Sequence, residues 1–239
     1  RQMCIRDRDN IKVPATWQIE AVRHNKNWDK PLYCNVIYPF CEWDWKKIQW
    51  PNVIQPRPSN YTFATMPNPV GSYRREFILP DSWKGRDIFI RFNGVEAGFY
   101  IWVNGKKVGY SEDSYLPAEF NLTPYLKAGK NVLAVEVYRF TDGSFLECQD
   151  FWRLSGIERD VFLYSQPKIA VKDFRVVSTL DDSYTNGIFK LAVDIRNNAA
   201  TDKNLQVLYE LIDKASGKVV ANATESCIVK GKDIQTVTF

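Results

Sequence analysis

The chain has one histidine and two methionines, and its five cysteines include no C-x-x-C pair. A Ser-His-Asp or Cys-His centre would rest on His24 alone, which stands between Arg23 and Asn25 in the polar setting of a surface histidine. There is no G-x-S-x-G, H-E-x-x-H, G-x-x-x-x-G-K-[ST] or dinucleotide fingerprint, so nucleophile-elbow, zinc-protease and nucleotide chemistry all lose their sequence support. Cys4, Cys34, Cys41, Cys148 and Cys227 are odd in number and irregular in spacing, which argues against a disulfide framework and a zinc site. No apolar run approaches the roughly 20 residues of a membrane span. The opening RQMCIRDRDN lacks the apolar centre of a signal peptide. Thirty-two basic residues against 28 acidic ones give +4. They form no polybasic block, so neither a nucleic acid nor an anionic membrane is indicated as a partner.

What is present is apolar and aromatic. The 239 residues are 45% hydrophobic and 14% aromatic, with 8 tryptophans. That suffices for two packed domains, and the aromatic surplus suits either a β-sandwich core or a surface that stacks on sugar rings. Residues 1–12 match no core pattern and read as a non-native or disordered start. From Val13 to Gly71 prolines and tryptophans crowd together, which predicts an ordered, loop-rich wrap.

Alternation begins at Ile88. Ile88, Ile90 and Phe92 are expected inside, with polar or outward residues between them. Phe99, Ile101 and Val103 repeat the pattern, with Tyr100 and Trp102 on the opposite face. Asn93-Gly94 and Asn104-Gly105 are both candidate two-residue hairpin turns. Shorter runs follow at Val108 to Ser111, Phe120 to Leu122, Val132 to Tyr138 and Val161 to Tyr164. After Pro167 cleaner alternation marks a second unit: Phe189, Leu191, Val193 and Ile195, then Leu205, Val207, Tyr209 and Leu211. Five strands are expected there, against about seven in an immunoglobulin-like domain, and the chain stops within an apparent strand. The expected fold is all-β: a jelly-roll β-sandwich over 13–166, then a C-terminally truncated immunoglobulin-like β-sandwich over 167–239.

Between two of these runs lies Thr141 to Asp160, too charged for a sheet interior and too aromatic for an idle linker. It reads as a long binding loop at a sheet rim. Asp142, Glu147 and Asp150 could serve as paired carboxylates, bind a ligand or ion, or form salt bridges with Arg153 and Arg159; loop spacing leaves all three open.

The string Asp142-Gly143-Ser144-Phe145-Leu146-Glu147, Gln149-Asp150, Trp152-Arg153, Ser155-Gly156-Ile157 and Arg159-Asp160-Val161 resembles the sugar-binding domain of glycoside hydrolase family 2 β-galactosidases. So do Val13 to Gln18, Asn35 to Pro39, Asn68 to Tyr73, and Trp102 to Gly105 running into Val108 to Ser111. The resemblance implies that a jelly roll and an immunoglobulin-like domain precede a (β/α)8 barrel carrying both catalytic glutamates. It implies no catalytic residue in this chain, substrate contacts from Asn35 and Asp150, and a sodium ion at Asp150. Trp152, Arg153 and Gly156 would shape the loop. Magnesium would be held by residues outside this chain. The implied partners are a β-galactoside and the protein's own barrel, with a homo-oligomer when full length; the sequence leaves the compartment open, with a bacterial-type cytoplasm or periplasm as the expectation. Cys148 departs from the pattern, standing where such enzymes often carry an acid. The alternative is a stand-alone carbohydrate-binding or adhesion module, since fold alone does not fix function.

Overall fold

The computed structural model describes residues 10–29, 31–34, 68–147 and 150–239. In chain order the elements are β1 (Ala15–Thr16), α1 (Trp17–Arg23), β2 (Leu32–Cys34), β3 (Val70–Ile78), β4 (Asp87–Phe92), β5 (Val95–Glu96), β6 (Gly98–Val103), β7 (Lys106–Ser111), β8 (Ala118–Asn121) and β9 (Lys130–Tyr138). Then come α2 (Ser144–Glu147), β10 (Phe151–Arg153), β11 (Gly156–Ile157), β12 (Val161–Gln166), β13 (Ile169–Leu180), β14 (Gly187–Asn197), β15 (Lys203–Ile212), β16 (Val219–Val229) and β17 (Asp233–Thr238). The fold is all-β with antiparallel sheets, and the residues divide into two compact units, one reaching Trp83 and resuming over Ile88–Tyr164, the other comprising Lys84–Asp87 and Ser165–Phe239.

In the first unit a four-stranded sheet of order β3-β9-β6-β7 and a three-stranded sheet of order β12-β4-β8 enclose the core. Phe99, Ile101, Val103, Val135 and Val137 from the larger sheet meet Ile90 and Phe92 from the smaller, and Leu122, Val95, Ile157 and Trp17 close the ends. Strand residues alternate sides, so a period-two apolar pattern places one face of each sheet out of water, at about 1.5–3 kcal/mol per large side chain buried. The β6 pattern holds as the sequence predicts, with Tyr100 and Trp102 outward. In β4 it does not, because Phe89 is also buried and stacks on Tyr164 at 5.3 Å. The smaller sheet is therefore covered by an aromatic ring on its other face, which alternation by itself does not anticipate.

Asn104-Gly105 forms the expected turn between β6 and β7, with φ of 52° and 80° at its two central residues. Asn93-Gly94 does not. β5 pairs with β11 rather than turning back on β4, and Asn93 N–H donates to the Asp160 carbonyl at 3.1 Å while the Gly94 carbonyl accepts from Glu158. A distant segment supplies the backbone partners that a hairpin would have supplied.

The stretch expected to be loop-rich contains α1, and β3 begins within it at Val70. α1 buries Trp17, Gln18, Glu20 and Ala21, but seven residues are too few for a helical period to stand out among prolines and tryptophans. β3 carries Arg74, Arg75 and Glu76 on exposed positions, which hides its alternation.

The second unit has five strands, as alternation indicates. β13, β14 and β17 form one antiparallel sheet and β15 and β16 a second. Leu191, Val193, Ile195, Val229 and Val237 are its buried core.

Candidate functional site

The site is assembled by the segment from Thr141 to Asp160, which is more structured than a plain loop. Ser144 closes its first turn: Thr141 N–H donates to Ser144 Oγ at 3.0 Å, and Ser144 N–H returns to the Thr141 carbonyl at 3.1 Å. That reciprocal cap starts the one-turn α2. Then β10 pairs antiparallel with β2 in the register Phe151 with Cys34, Trp152 with Tyr33 and Arg153 with Leu32. The pairing sets Asp150, exposed, at the head of β10, where its carboxylate accepts from the Tyr33 hydroxyl. Tyr33 and Trp152 are 44% and 55% exposed and meet edge to face at 5.8 Å. Together they present two aromatic surfaces and a carboxylate to solvent at one rim, a combination able to stack against a sugar ring and accept from its hydroxyls.

A buried polar network holds this rim. Arg139, at the end of β9, is 2% exposed. Its Nη1 donates to both carboxylate oxygens of Asp29 at 2.9 Å, and its Nη2 to the Arg153 carbonyl at 2.8 Å. Asp29 also accepts from Trp17 Nε1 at 3.0 Å and Gln18 Nε2 at 2.9 Å. Gln18 Oε1 in turn accepts from Ser155 N–H at 2.9 Å, and Trp17 N–H donates to the Ser155 carbonyl at 3.1 Å. α1 and the Asp29 segment are thereby fastened to the backbone that follows β10.

Gly156 is required by space. Its φ is +151°, and a Cβ there would lie 2.5 Å from the Ala15 carbonyl oxygen, because β11 runs between β1 and β5. Arg153 is buried at 6%. Trp152, by contrast, is exposed beside Asp150.

Glu147 and Arg159 both reach the chain between β7 and β8. Glu147 accepts from Ser114 N–H at 3.0 Å and Ser114 Oγ at 2.5 Å. Arg159 donates to the Tyr115 carbonyl at 3.0 Å. Nearby, burial foremost and then the Glu158 charge push the Glu96 carboxyl up to about 8, and burial raises Glu158 as well. His24, at the end of α1, lies 3.3 Å from the buried Glu20.

Asn35 and Cys148 lie outside the described residues. Asp29, Tyr33, Arg139, Glu96 and Tyr115 were not singled out by the sequence. The signals for Arg139 and Asp29 were faint: an arginine directly after an apolar strand, and an aspartate after Trp28. Among the described residues no group of three or more His, Cys, Asp and Glu is arranged to hold a metal ion. A cleft of about 800 Å³ opens between β3 and β12, lined by Tyr73, Ile90, Phe92, Val135 and Leu163. It shares no residue with the Tyr33, Asp150 and Trp152 rim, and we place the site at the rim because the convergent polar and aromatic groups are there.

Residues 2–167 match the family described as glycosyl hydrolases family 2, sugar binding domain. The chain is 41% identical over 231 residues to a β-galactosidase of Priestia megaterium, covering 97% of this chain and 21% of that protein. It is 44% identical over 215 residues to a β-galactosidase of Halalkalibacterium halodurans, covering 90% and 19%. The chain thus spans about a fifth of the length of these curated relatives. A Bacteroides uniformis β-glucuronidase shares the fold with a TM-score of 0.64 at 23% identity, over 72% of this chain and 21% of that one. A calcium-binding mutant of B. uniformis β-glucuronidase 2 superposes with a TM-score of 0.60 at 21% identity, over 76% and 22%.

Proposed function

Because the chain belongs to glycoside hydrolase family 2, through its sugar-binding domain, we propose that it is the N-terminal part of a retaining β-galactosidase. In this reading it completes the substrate pocket of a catalytic barrel that supplies the acid and the nucleophile. The observation that carries the reading is the β2–β10 pairing, which holds the Asp150 carboxylate beside Tyr33 and Trp152 at an exposed rim. Asn35, which lies outside the described residues, joins Asp150 in the proposal through the motif from Asn35 to Pro39. Residues 167–239 are read as part of an immunoglobulin-like domain, and the whole protein as a homo-oligomer acting on terminal β-galactosides.

Asp150 fits a role as a sodium ligand, since an exposed carboxylate has acceptor capacity beyond the one hydrogen bond from Tyr33. Among the described residues no group of three or more His, Cys, Asp and Glu is arranged to hold a metal ion, so the other ligands of such a site would be oxygens of other kinds. A bound alkali cation supplies a hard charge that favours sugar hydroxyl oxygens. Magnesium would be held by residues outside this chain. Asp150 itself binds and positions, and it neither donates nor removes the proton of the reaction.

The test is a pH and sodium titration of the full-length protein against Asp150→Asn. Sodium dependence weakens and kcat/KM for a galactoside falls, while both limbs of the pH profile stay in place because they belong to the barrel carboxylates. A lost or displaced limb with an unchanged sodium response would show that Asp150 titrates in the catalytic step.

A further inference from the structure

β11 is a two-residue strand, yet it is the middle of three, with β1 on one side and β5 on the other. It also follows directly from β10, which presents Asp150. Its hold on β5 rests on the pairs Gly156 with Glu96 and Ile157 with Val95. The pairing extends one step further, since the Glu158 and Arg159 N–H groups both donate to the Gly94 carbonyl, at 3.1 and 3.3 Å. Residues directly opposite in an antiparallel pair share a face, and so do residues two apart on one strand. Glu96 and Glu158 therefore project from the same face as diagonal neighbours. Gly156 opposite the one and Gly94 opposite the other put no side chain between them. The register thus turns the two carboxyl groups toward each other across the β5–β11 pairing.

Two carboxylates brought together partly out of water repel each other, and a proton on one of them removes that repulsion and makes it a donor to the other. We propose that Glu96 and Glu158 share one proton and form a pH-sensitive clasp on the β5–β11 pairing, which keeps the Asp150 segment seated while the proton is held and loosens it when the proton leaves.

The surroundings favour the singly protonated state. The Tyr115 hydroxyl donates to Glu96 Oε2 at 3.1 Å, which supports one negative charge on the pair. Glu147, the third carboxylate near Glu96, is turned to Ser114. Of the two cations that act on the pair, Arg153 on β10 lies toward Glu96 and Arg159 toward Glu158. They offset part of the charge on the pair. Burial is the largest influence on Glu96 and the Glu158 charge the next, and together they push it up to about 8. Because the folded value lies above the unfolded one, the clasp's contribution is complete below the unfolded carboxyl range, near pH 4.3. It declines as pH rises and is lost through about 8.

Infrared spectroscopy and hydrogen exchange on the wild-type protein, Glu96→Gln and Glu158→Gln decide the matter. At pH 7 the wild type shows a protonated-carboxyl carbonyl band that titrates away on the alkaline side of neutrality, and Glu96→Gln lacks it. Between pH 6 and 9 the Glu158 and Arg159 amides lose protection relative to β9 amides in the same sample, by about tenfold or more, since each pH unit between the unfolded and folded values is worth about tenfold and the loss levels off above about 8. Either glutamine variant, which carries a permanent donor, keeps that ratio constant. If both variants fail to fold, the wild-type band and its pH midpoint still decide. Absence of the band at pH 7, or the same fall in relative protection in wild type and variants, overturns the clasp.

Discussion

Arg139→Met removes a guanidinium and keeps most of the stem, which isolates the electrostatic part of the network beneath the Asp150 rim. The side chains of Arg139 and Asp29 are 0% and 13% exposed. In the variant Asp29 keeps the Trp17 and Gln18 donors but loses the Arg139 guanidinium, and the Arg153 carbonyl loses its Nη2 partner. Removing one partner of a buried ion pair costs about 3–5 kcal/mol. Counting instead the two charge-assisted attachments, to Asp29 and to the Arg153 carbonyl, at about 1.5–3 kcal/mol each gives a similar total. That is a large fraction of the roughly 5–15 kcal/mol that holds a domain folded. Lys130→Ala is the control: its pair with Glu76 spans 2.9 Å, but the side chains are 63% and 46% exposed, and such a pair is worth about 0–1 kcal/mol. Equilibrium urea unfolding followed by tryptophan fluorescence should show the large loss for Arg139→Met and almost none for Lys130→Ala. A cycle with Asp29→Asn should give a coupling of about 1–3 kcal/mol. If Arg139→Met costs no more than the control, or the two changes add without coupling, the network does not hold the rim and the reasoning fails.

Gly156→Ala should cost about 2 kcal/mol or more, from the Ala15 carbonyl clash combined with its backbone conformation; Gly105→Ala, whose Cβ meets nothing within 4 Å, should cost only the left-handed backbone penalty of about 1–2 kcal/mol. Thermal unfolding of the two variants side by side checks the order. In the second unit, burial alone would raise the Asp87 carboxyl, but hydrogen bonds from Lys168 and Asn198 and the Lys168 and Arg196 charges outweigh it and hold it below the usual range. Its contribution is therefore present above the unfolded value, near pH 3.9, and is lost as pH falls through the lower folded one. Acid titration should lower the Tm of that unit in the wild type and flatten in Asp87→Asn.

Much of the strand pattern was legible because burying one face of a sheet is a local demand with a fixed period. Phe99, Ile101 and Val103 read correctly for that reason, as did the alternation of β14. Asn104-Gly105 was legible because few residues tolerate positive φ in succession. Asn93-Gly94 carries the same signal and does something else, since Asp160 and Glu158 reach its backbone first. Asp150 could be singled out by resemblance and by its place in an aromatic, charged segment. Its partner Tyr33 could not, because the pair is 117 residues apart in sequence.

By itself the sequence determined an all-β chain and the faces of most of its main strands, and it singled out the charged, aromatic segment from Thr141 to Asp160. These follow from periodicity and composition, each a sum of local preferences. Only the tertiary structure decided which polar groups meet. Arg139 and Asp29 are 110 residues apart, and Glu96 and Glu158 are brought together by the register of two strands with only two residues each. A buried charge must find a partner, but the sequence does not say which one. That choice is made when strands pair, because a one-residue slip would turn every side chain to the other face.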